Sequence, residues 1–226
     1  MKKHIVILTG AGMSAESGLK TFRDADGLWE GHDVMEVATP EGFAKNPELV
    51  LEFYNQRRRQ LFEVEPNKAH YDIAKLESNF EVNIITQNVD DLHERAGSSN
   101  VLHLHGELIK SRSVADSLTF FDCRSDIKVG DLCPNGYQLR PHIVWFGEDV
   151  PLIKKARKIC ETADILVIIG TSMQVYPAAG LMNCVPINTP TYFIDPNPNV
   201  SSKKGLTVIA ESATVGMQTL TSILKP

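Results

Sequence analysis

The residues of this chain that could do chemistry fall into five short constellations. His105 stands beside Gly106. An imidazole, with an ordinary pKa of about 6.5, can take or give a proton near neutrality, and a glycine neighbour leaves room for a substrate. Gln87, Asn88, Val89 and Asp90 place two carboxamides and a carboxylate within four positions. Gly10-Ala11-Gly12, with Ser14 and Ala15, reads as G-x-G-x-x-A, a loose dinucleotide fingerprint. Such turns aim backbone N–H groups at a phosphate, and glycine lets the backbone come close. Gly170-Thr171-Ser172 is a second turn of small residues. Tyr54 and Arg57, three apart, share one face of a helix, and a phenol beside a guanidinium fork is a receptor for a carboxylate. Plainer readings exist. Asn88 and Asp90 could cap a helix before Leu92, and Arg57, Arg58 and Arg59 could form a solvated basic face.

The apolar runs say what must position these residues. Residues 5–8 read as a buried strand, 82–86 as a second, 101–105 as a third, 143–146 as a fourth, 165–169 as a fifth and 191–194 as a sixth. Residues 14–17 could open a helix, and helical patterns cover 47–63, 67–79 and 152–162. Strands alternating with helices predict an α/β fold with a Rossmann-like, doubly wound parallel sheet. Residues 107–140 break the rhythm and read as an insertion; the polar, glycine-bearing stretch 21–32 reads as a loop, either over a ligand or an ordinary surface loop. The first glycine turn follows the first strand, 87–90 the second, His105 closes the third, and 170–172 follows the fifth. Ligands bind outside the carboxyl ends of such strands, so the constellations converge on one crevice. Period two places His103 and His105 on one strand face; His105, at the strand's end, is the candidate base and His103 the structural one.

Composition narrows the classes. A net charge of −5 and a pI near 5.8 argue against a nucleic-acid-binding surface. Cys123, Cys133, Cys160 and Cys184 show no disulfide framework. The N-terminal apolar run is too short for a signal peptide, and no stretch approaches the roughly 18 apolar residues of a membrane helix. A soluble cytoplasmic protein without nucleic-acid or membrane partners is the expectation; oligomeric state is not legible. A hydride-transfer dehydrogenase would place an acid about 20 positions after the glycine turn, and Asp24 and Asp26 lie closer.

The stretches GAGMSAESG…TFR, TQNVDDLH, HLHGE, RPHIVWFGE and GTSMQVYPAAGL, in this order, resemble the sirtuins, NAD-dependent protein-lysine deacylases, over essentially the whole chain. DADGLWEGH and the compact length are most similar to the class that removes succinyl and malonyl groups. The resemblance implies a single catalytic domain, with a Rossmann-like core from about 1–22, 67–107 and 141–226 and a small subdomain from about 23–66 and 108–140. It implies NAD as cofactor and acylated-lysine proteins or peptides as substrates. Gly10, Ala11, Gly12 and Ser14 would then line the phosphate and ribose sites, with Phe22 and Arg23 in the cofactor loop. Gln87, Asn88, Val89 and Asp90 would border the nicotinamide end, and Gly170, Thr171 and Ser172 the adenosine half. His105 would be the base, with Asn88 and Asp90 also catalytic. Gly147, Glu148 and Val175 would sandwich the peptide as an added strand. Tyr54 and Arg57 would hold an acyl carboxylate, and Ala38, sixteen positions before Tyr54, would widen the acyl channel. The implied reaction joins the acyl oxygen to the nicotinamide ribose, releases nicotinamide and ends as O-acyl-ADP-ribose. ADP-ribosyl transfer to protein, or a non-catalytic NAD or ADP-ribose sensor, would use parts of the same site.

The chain departs from the family's pattern twice. Sirtuins commonly carry two Cys-x-x-Cys pairs for a structural zinc; here Ser111-Arg112-Ser113-Val114 replaces the first, and Cys133-Pro134-Asn135-Gly136 keeps one cysteine. Cys123 and Cys133 cannot supply four N or S ligands, so packing around Leu118, Phe120, Phe121 and Leu132 is expected to stand in for the metal. Asp195 occupies the usual Asn position after the sixth strand, where it can accept from a ribose hydroxyl but not donate; Asn197 would assist, and Ala213 and Thr214 would meet the adenine. Elemental analysis of the purified protein should find zinc far below one equivalent, and a stoichiometric content would overturn the zinc-free reading.

Overall fold

The structure is a computed structural model that describes residues 2–20, 28–29 and 31–224. β1 (His4–Thr9) is followed by two 3-10 turns, Ala11–Met13 and Ala15–Ser17. β2 (Leu28–Trp29) pairs with β3 (His32–Asp33), and α1 (Val34–Val37), α2 (Pro40–Lys45), α3 (Pro47–Glu63) and α4 (Lys68–Leu76) follow. Then come β4 (Glu81–Thr86), α5 (Leu92–Arg95), β5 (Val101–His103), β6 (Gly106–Ser113), β7 (Asp116–Asp122) and β8 (Leu139–Ile143). α6 (Ile153–Cys160), β9 (Ile165–Ile169), β10 (Thr191–Ile194), β11 (Leu206–Ile209) and α7 (Ala213–Ile223) complete the chain.

Six strands form a parallel sheet in the order β11-β10-β9-β1-β4-β5. β1 is central and buried, as a continuous apolar run requires when both faces are covered. On one face Ile5, Ile7, Ile84 and Val167 pack against α4 and α7; on the other Val6, Leu8, Ile85, Leu166 and Ile168 pack against α6. The order reverses at β1, with β4 on one side and β9 on the other, and this is the switch point where α/β sheets take ligands. Among the described residues, no helix is long and apolar enough to cross a membrane.

The structure corrects several expectations. Residues 14–17 form a 3-10 turn rather than opening a helix, because Gly18 turns left-handed (φ 98°) straight after it. The third strand ends at His103, and His105 lies in the turn before β6. Residues 143–146 are not a strand of the parallel sheet: Ile143 ends β8, which pairs antiparallel with β6 in a separate sheet of order β7-β6-β8. Gly106 makes that pairing possible, since at φ +81° a Cβ would collide with the His142 carbonyl oxygen. β11 was not expected; it is a half-buried edge strand of four residues.

The packing expected around Leu118, Phe120, Phe121 and Leu132 differs too, with the Leu118 side chain lying outside the described ones. Phe120 and Leu132 are 50% and 56% exposed, so they do not form the expected cluster. The antiparallel sheet is instead fastened to α3. Leu51 packs with Cys123 and Ile127. Asn55 donates from Nδ2 to the Ile127 carbonyl (2.9 Å) and accepts at Oδ1 from the Ile127 N–H (2.9 Å). Arg58, 1% exposed, donates from Nε to the Leu108 carbonyl (2.7 Å) and from Nη1 to Asn55 Oδ1 (2.9 Å). Among the described residues, no group of three or more His, Cys, Asp or Glu side chains could share a metal. Removing Asn55 strips two main-chain groups and one buried guanidinium of their partner, at about 1–3 kcal/mol each before relaxation. Asn55→Ala should therefore lower unfolding free energy by about 3 kcal/mol in urea titration; a loss under about 1 kcal/mol would show that the clamp is not what holds the sheet.

Candidate active site

At the carboxyl edge of β1 and β9 two turns touch backbone to backbone. Gly10 N–H donates to Ile169 O (3.0 Å) and Gly12 N–H to Gly170 O (2.9 Å). A Cβ on Gly10 would stand 2.7 Å from Thr171 Cβ, and one on Gly12 2.7 Å from Gly170 Cα. Gly170, at φ +61°, would drive a Cβ into Met13 N and Gly12 C. The glycines are thus required for the clasp between the two turns. This amends the reason for them: the N–H groups of Gly10 and Gly12 are spent on β9 and its turn and are not directed at a phosphate.

The clasp floors a crevice of about 760 Å³, inside the size range of small-molecule sites. Gly10, Ala11, Gly12, Ser14, Gln87, Asn88, Val89, Asp90, His105, Gly170, Thr171, Ser172, Asp195, Asn197 and Ala213 line it. Ala38, Tyr54, Arg57 and Val175 line it too. Gly147 and Glu148, with Val175 and His105, border an adjoining cavity of about 110 Å³. Phe22 and Arg23 lie outside the described residues. Asp195 follows β10 and His105 follows β5, four strand spacings apart, or about 19 Å. That reach suits a dinucleotide better than a single nucleotide.

One hydrogen-bonded chain joins two of the motifs. Asn88 Nδ2 donates to Ser14 Oγ (3.1 Å), and Ser14 Oγ donates to Asp90 Oδ2 (2.9 Å). Asp90 Oδ1 also accepts from the Leu92 N–H (3.2 Å), so the capping role exists alongside the site. Burial raises the Asp90 pKa, and the bonds from Ser14 and Leu92 hold it part way back. Gln87 Nε2 donates to Thr171 Oγ1 (3.1 Å), bridging the ends of β4 and β9 across β1.

His105 Nδ1 lies 3.1 Å from the Gln87 carbonyl oxygen. A carbonyl only accepts, so Nδ1 carries the hydrogen and Nε2 the lone pair. Burial lowers the His105 pKa, partly offset by the Gln87 carbonyl. His103 behaves oppositely. Burial works against its charge, but the Glu94 carboxylate at 2.7 Å, with Glu107 and the Asn88 carbonyl, outweighs it and raises the pKa.

The structure refines other assignments. The run Arg57-Arg58-Arg59 divides by helical rotation: Arg57 faces the crevice, Arg58 is buried against Leu108, and exposed Arg59 pairs with Glu52 and Asp126. Tyr54 is wholly shielded from solvent in the crevice wall and accepts from Trp145 Nε1 (3.0 Å). Glu148 is committed to Arg112, Arg140 and the Trp145 N–H, and its own N–H donates to Trp145 O. Glu16 was missed. Its carboxylate accepts from Ser212 Oγ, Thr214 N–H and Thr214 Oγ1 at 2.7–3.0 Å and ties the first glycine turn to α7. The Thr214 N–H is thereby spent, and Ala213 and Ser212 form the crevice wall there. An acid inside a glycine-rich turn was the available signal.

Fold and crevice together define a dinucleotide-binding α/β protein. The chain belongs to the Sir2 family, whose family model matches residues 10–177. It is 59% identical over 219 residues to a Helicobacter pylori protein named NAD-dependent protein deacylase, covering 96% of each chain. It is 52% identical over 231 residues to a Bacteroides thetaiotaomicron protein of the same name, covering 99% of each. Among solved structures, a complex of a Sir2 homologue with NAD superposes with a TM-score of 0.86 at 41% identity, covering 98% of this chain and 89% of that one.

In NMR titration of the ring protons, His105 should titrate below 6.5 and His103 above it, two histidines two positions apart displaced in opposite directions. The reverse order would contradict the environments described.

Proposed function

We infer that the protein is an NAD-dependent protein-lysine deacylase, and that its preferred acyl groups end in a carboxylate, as succinyl and malonyl do. The observation that carries the finer reading is the presence of Arg57, Tyr54 and Ala38 in the wall of the same crevice as His105 and Asn88–Asp90. The Arg57 guanidinium lies over the Phe53 ring, 4.9 Å from its centroid, a placement that holds the fork in a wall with little water. A carboxylate there receives charge-assisted hydrogen bonds, and small Ala38 leaves width for the longer chain.

NAD fits the residues present: hydroxyl, amide and carboxylate groups of Ser14, Asn88, Asp90, Thr171 and Asp195 lie along a crevice four strands wide. When bound, it supplies a nicotinamide leaving group on a ribose carbon that the acyl oxygen can replace. The chain's own groups do the rest. His105 accepts a ribose hydroxyl proton at Nε2, its ring held by the Gln87 carbonyl. Asn88 keeps its amide oriented through Ser14, and Asp90 anchors that chain and borders the carboxamide pocket. Gly147, the Glu148 carbonyl and Val175 take the substrate backbone as an added strand, which reads main chain rather than sequence.

The sign of the pH dependence follows from His105. The reactive form is neutral and its pKa is lowered from 6.5, so kcat/KM should stay level as pH falls through 6.5 and decline only below it. Nicotinamide and deacylated peptide should appear together; ADP-ribose on protein without deacylation would favour transferase activity instead. Losing a buried charged hydrogen bond costs about 3 kcal/mol, so Arg57→Met should lower kcat/KM for a succinyl-lysine peptide by about a hundredfold or more while acetyl-lysine turnover barely moves. Equal loss on both substrates would sink the acyl assignment.

A further inference from the structure

We propose that Glu16 is a positioning residue for the cofactor: its carboxylate latches the first turn of α7 onto the turn after β1, and so holds Ser212 and Ala213 as the wall that receives the adenosine half of NAD. This rests on the NAD-dependent reading above and adds to it a side chain remote from the reacting atoms.

The latch is visible in how α7 begins. Ser212 stands at the N-cap, where a serine hydroxyl ordinarily accepts from the second or third amide of the helix. Here the hydroxyl makes no such bond and donates to Glu16 Oε1 instead (3.0 Å). Glu16 does the capping in its place. Its Oε2 accepts the Thr214 N–H (2.8 Å), the second amide of α7, and its Oε1 also takes the Thr214 hydroxyl (2.7 Å). A carboxylate suits the positive end of the helix dipole as well. Burial works to raise the Glu16 pKa, but the bonds from Thr214 and Ser212 outweigh it and lower it, so the latch keeps its charge at any working pH.

The rest of α7 is held by packing. Met217 and Leu220 are buried in the core, and at Gly216 the helix lies so close to β10 that a Cβ would collide with Ile194 Cγ2. Its first turn stands at the crevice, where Ser212, Ala213 and Glu16 itself form part of the lining. Position decides which half of the dinucleotide meets this wall. α7 follows β11, at one edge of the parallel sheet, and His105 follows β5, at the other. His105 serves the ribose that loses nicotinamide, so the adenosine half extends toward α7. Two residues before Glu16, Ser14 is bonded to Asn88 and Asp90. One short turn therefore registers the adenosine wall against the groups at the reacting end.

The test measures ADP-ribose and NAD affinity by calorimetry, without turnover, for wild type, Glu16→Ala, Thr214→Val and the double variant, beside steady-state kinetics and thermal unfolding. Glu16→Ala should weaken ADP-ribose binding about tenfold, with a matching rise in the KM for NAD rather than a fall in kcat. Ser212 can then turn back to cap α7 itself, so the melting temperature should barely move. Thr214→Val removes one of the three bonds and should weaken ADP-ribose binding about threefold. In the Glu16→Ala background it should add nothing, and additive losses would overturn the latch. If Glu16→Ala leaves ADP-ribose affinity unchanged, the carboxylate is only a helix cap and this inference is overturned, whatever happens to the melting temperature. If wild type binds neither NAD nor ADP-ribose, the NAD-dependent reading falls and takes this inference with it. Should Glu16→Ala not fold, Thr214→Val decides alone: weaker ADP-ribose binding supports the proposal, and wild-type affinity overturns it.

Discussion

Everything in the crevice depends on a contact made almost wholly by main chain, with Thr171 Cβ against Gly10 as its side-chain part. The turns after β1 and β9 meet through the backbones of Gly10, Gly12 and Gly170, at separations no Cβ could share. Because these strands are neighbours at the centre of the sheet, the contact fixes Ser14 and Thr171 relative to each other. β4, on the other flank of β1, then brings Gln87, Asn88 and Asp90 into hydrogen-bonding range of both. A few main-chain hydrogen bonds set the geometry, and the polar side chains inherit it.

The outer part of the site is held by a different kind of force. α3 carries Asn55 and Arg58 against the antiparallel sheet and the loop after it, and Glu148 gathers Arg112, Arg140 and the Trp145 main chain. Burial alone would raise the Glu148 pKa, but Arg140 and the Trp145 N–H lower it overall, so the carboxylate stays charged. Such a network is costly to desolvate, and here Arg140 Nε and Arg58 Nη2 are left buried without a hydrogen-bond partner among the described residues. It fixes direction more than it adds stability.

Much of this was legible in sequence where one local signal dominates. β1, β4, β9 and β10 announce themselves as apolar runs, and α3 was bounded at both ends because Pro47 sits at its first turn behind the capping Asn46. The convergence of 10–14, 87–90, His105 and 170–172 followed from strand ends alone. The misses share a cause. Residues 143–146 look like a strand of the main sheet, yet their partners are fixed by Gly106 and by Ala38, whose carbonyl takes the Phe146 N–H. Bonds such as Glu16–Thr214 and Trp145–Tyr54 join positions far apart in the chain, and no local pattern records them. The glycine turn was read for a phosphate, and the amides of Gly10 and Gly12 serve β9 and the turn after it.

The strand order also bears on how the protein comes into being. β1 is the middle strand of the finished sheet, and its partners begin far along the chain, at residues 81 and 165. Parallel pairing of this kind closes long loops before it returns any contact energy. The glycine turn lacks its counterpart until residues 170–172 are made, and Glu16 waits longer still for the start of α7 at Ala213. Before β4 is made β1 is a bare apolar strand with two open edges, and one edge stays open until β9 follows, an exposure of the kind that favours aggregation. The crevice therefore takes shape only once β9 and α7 have joined the elements that precede them.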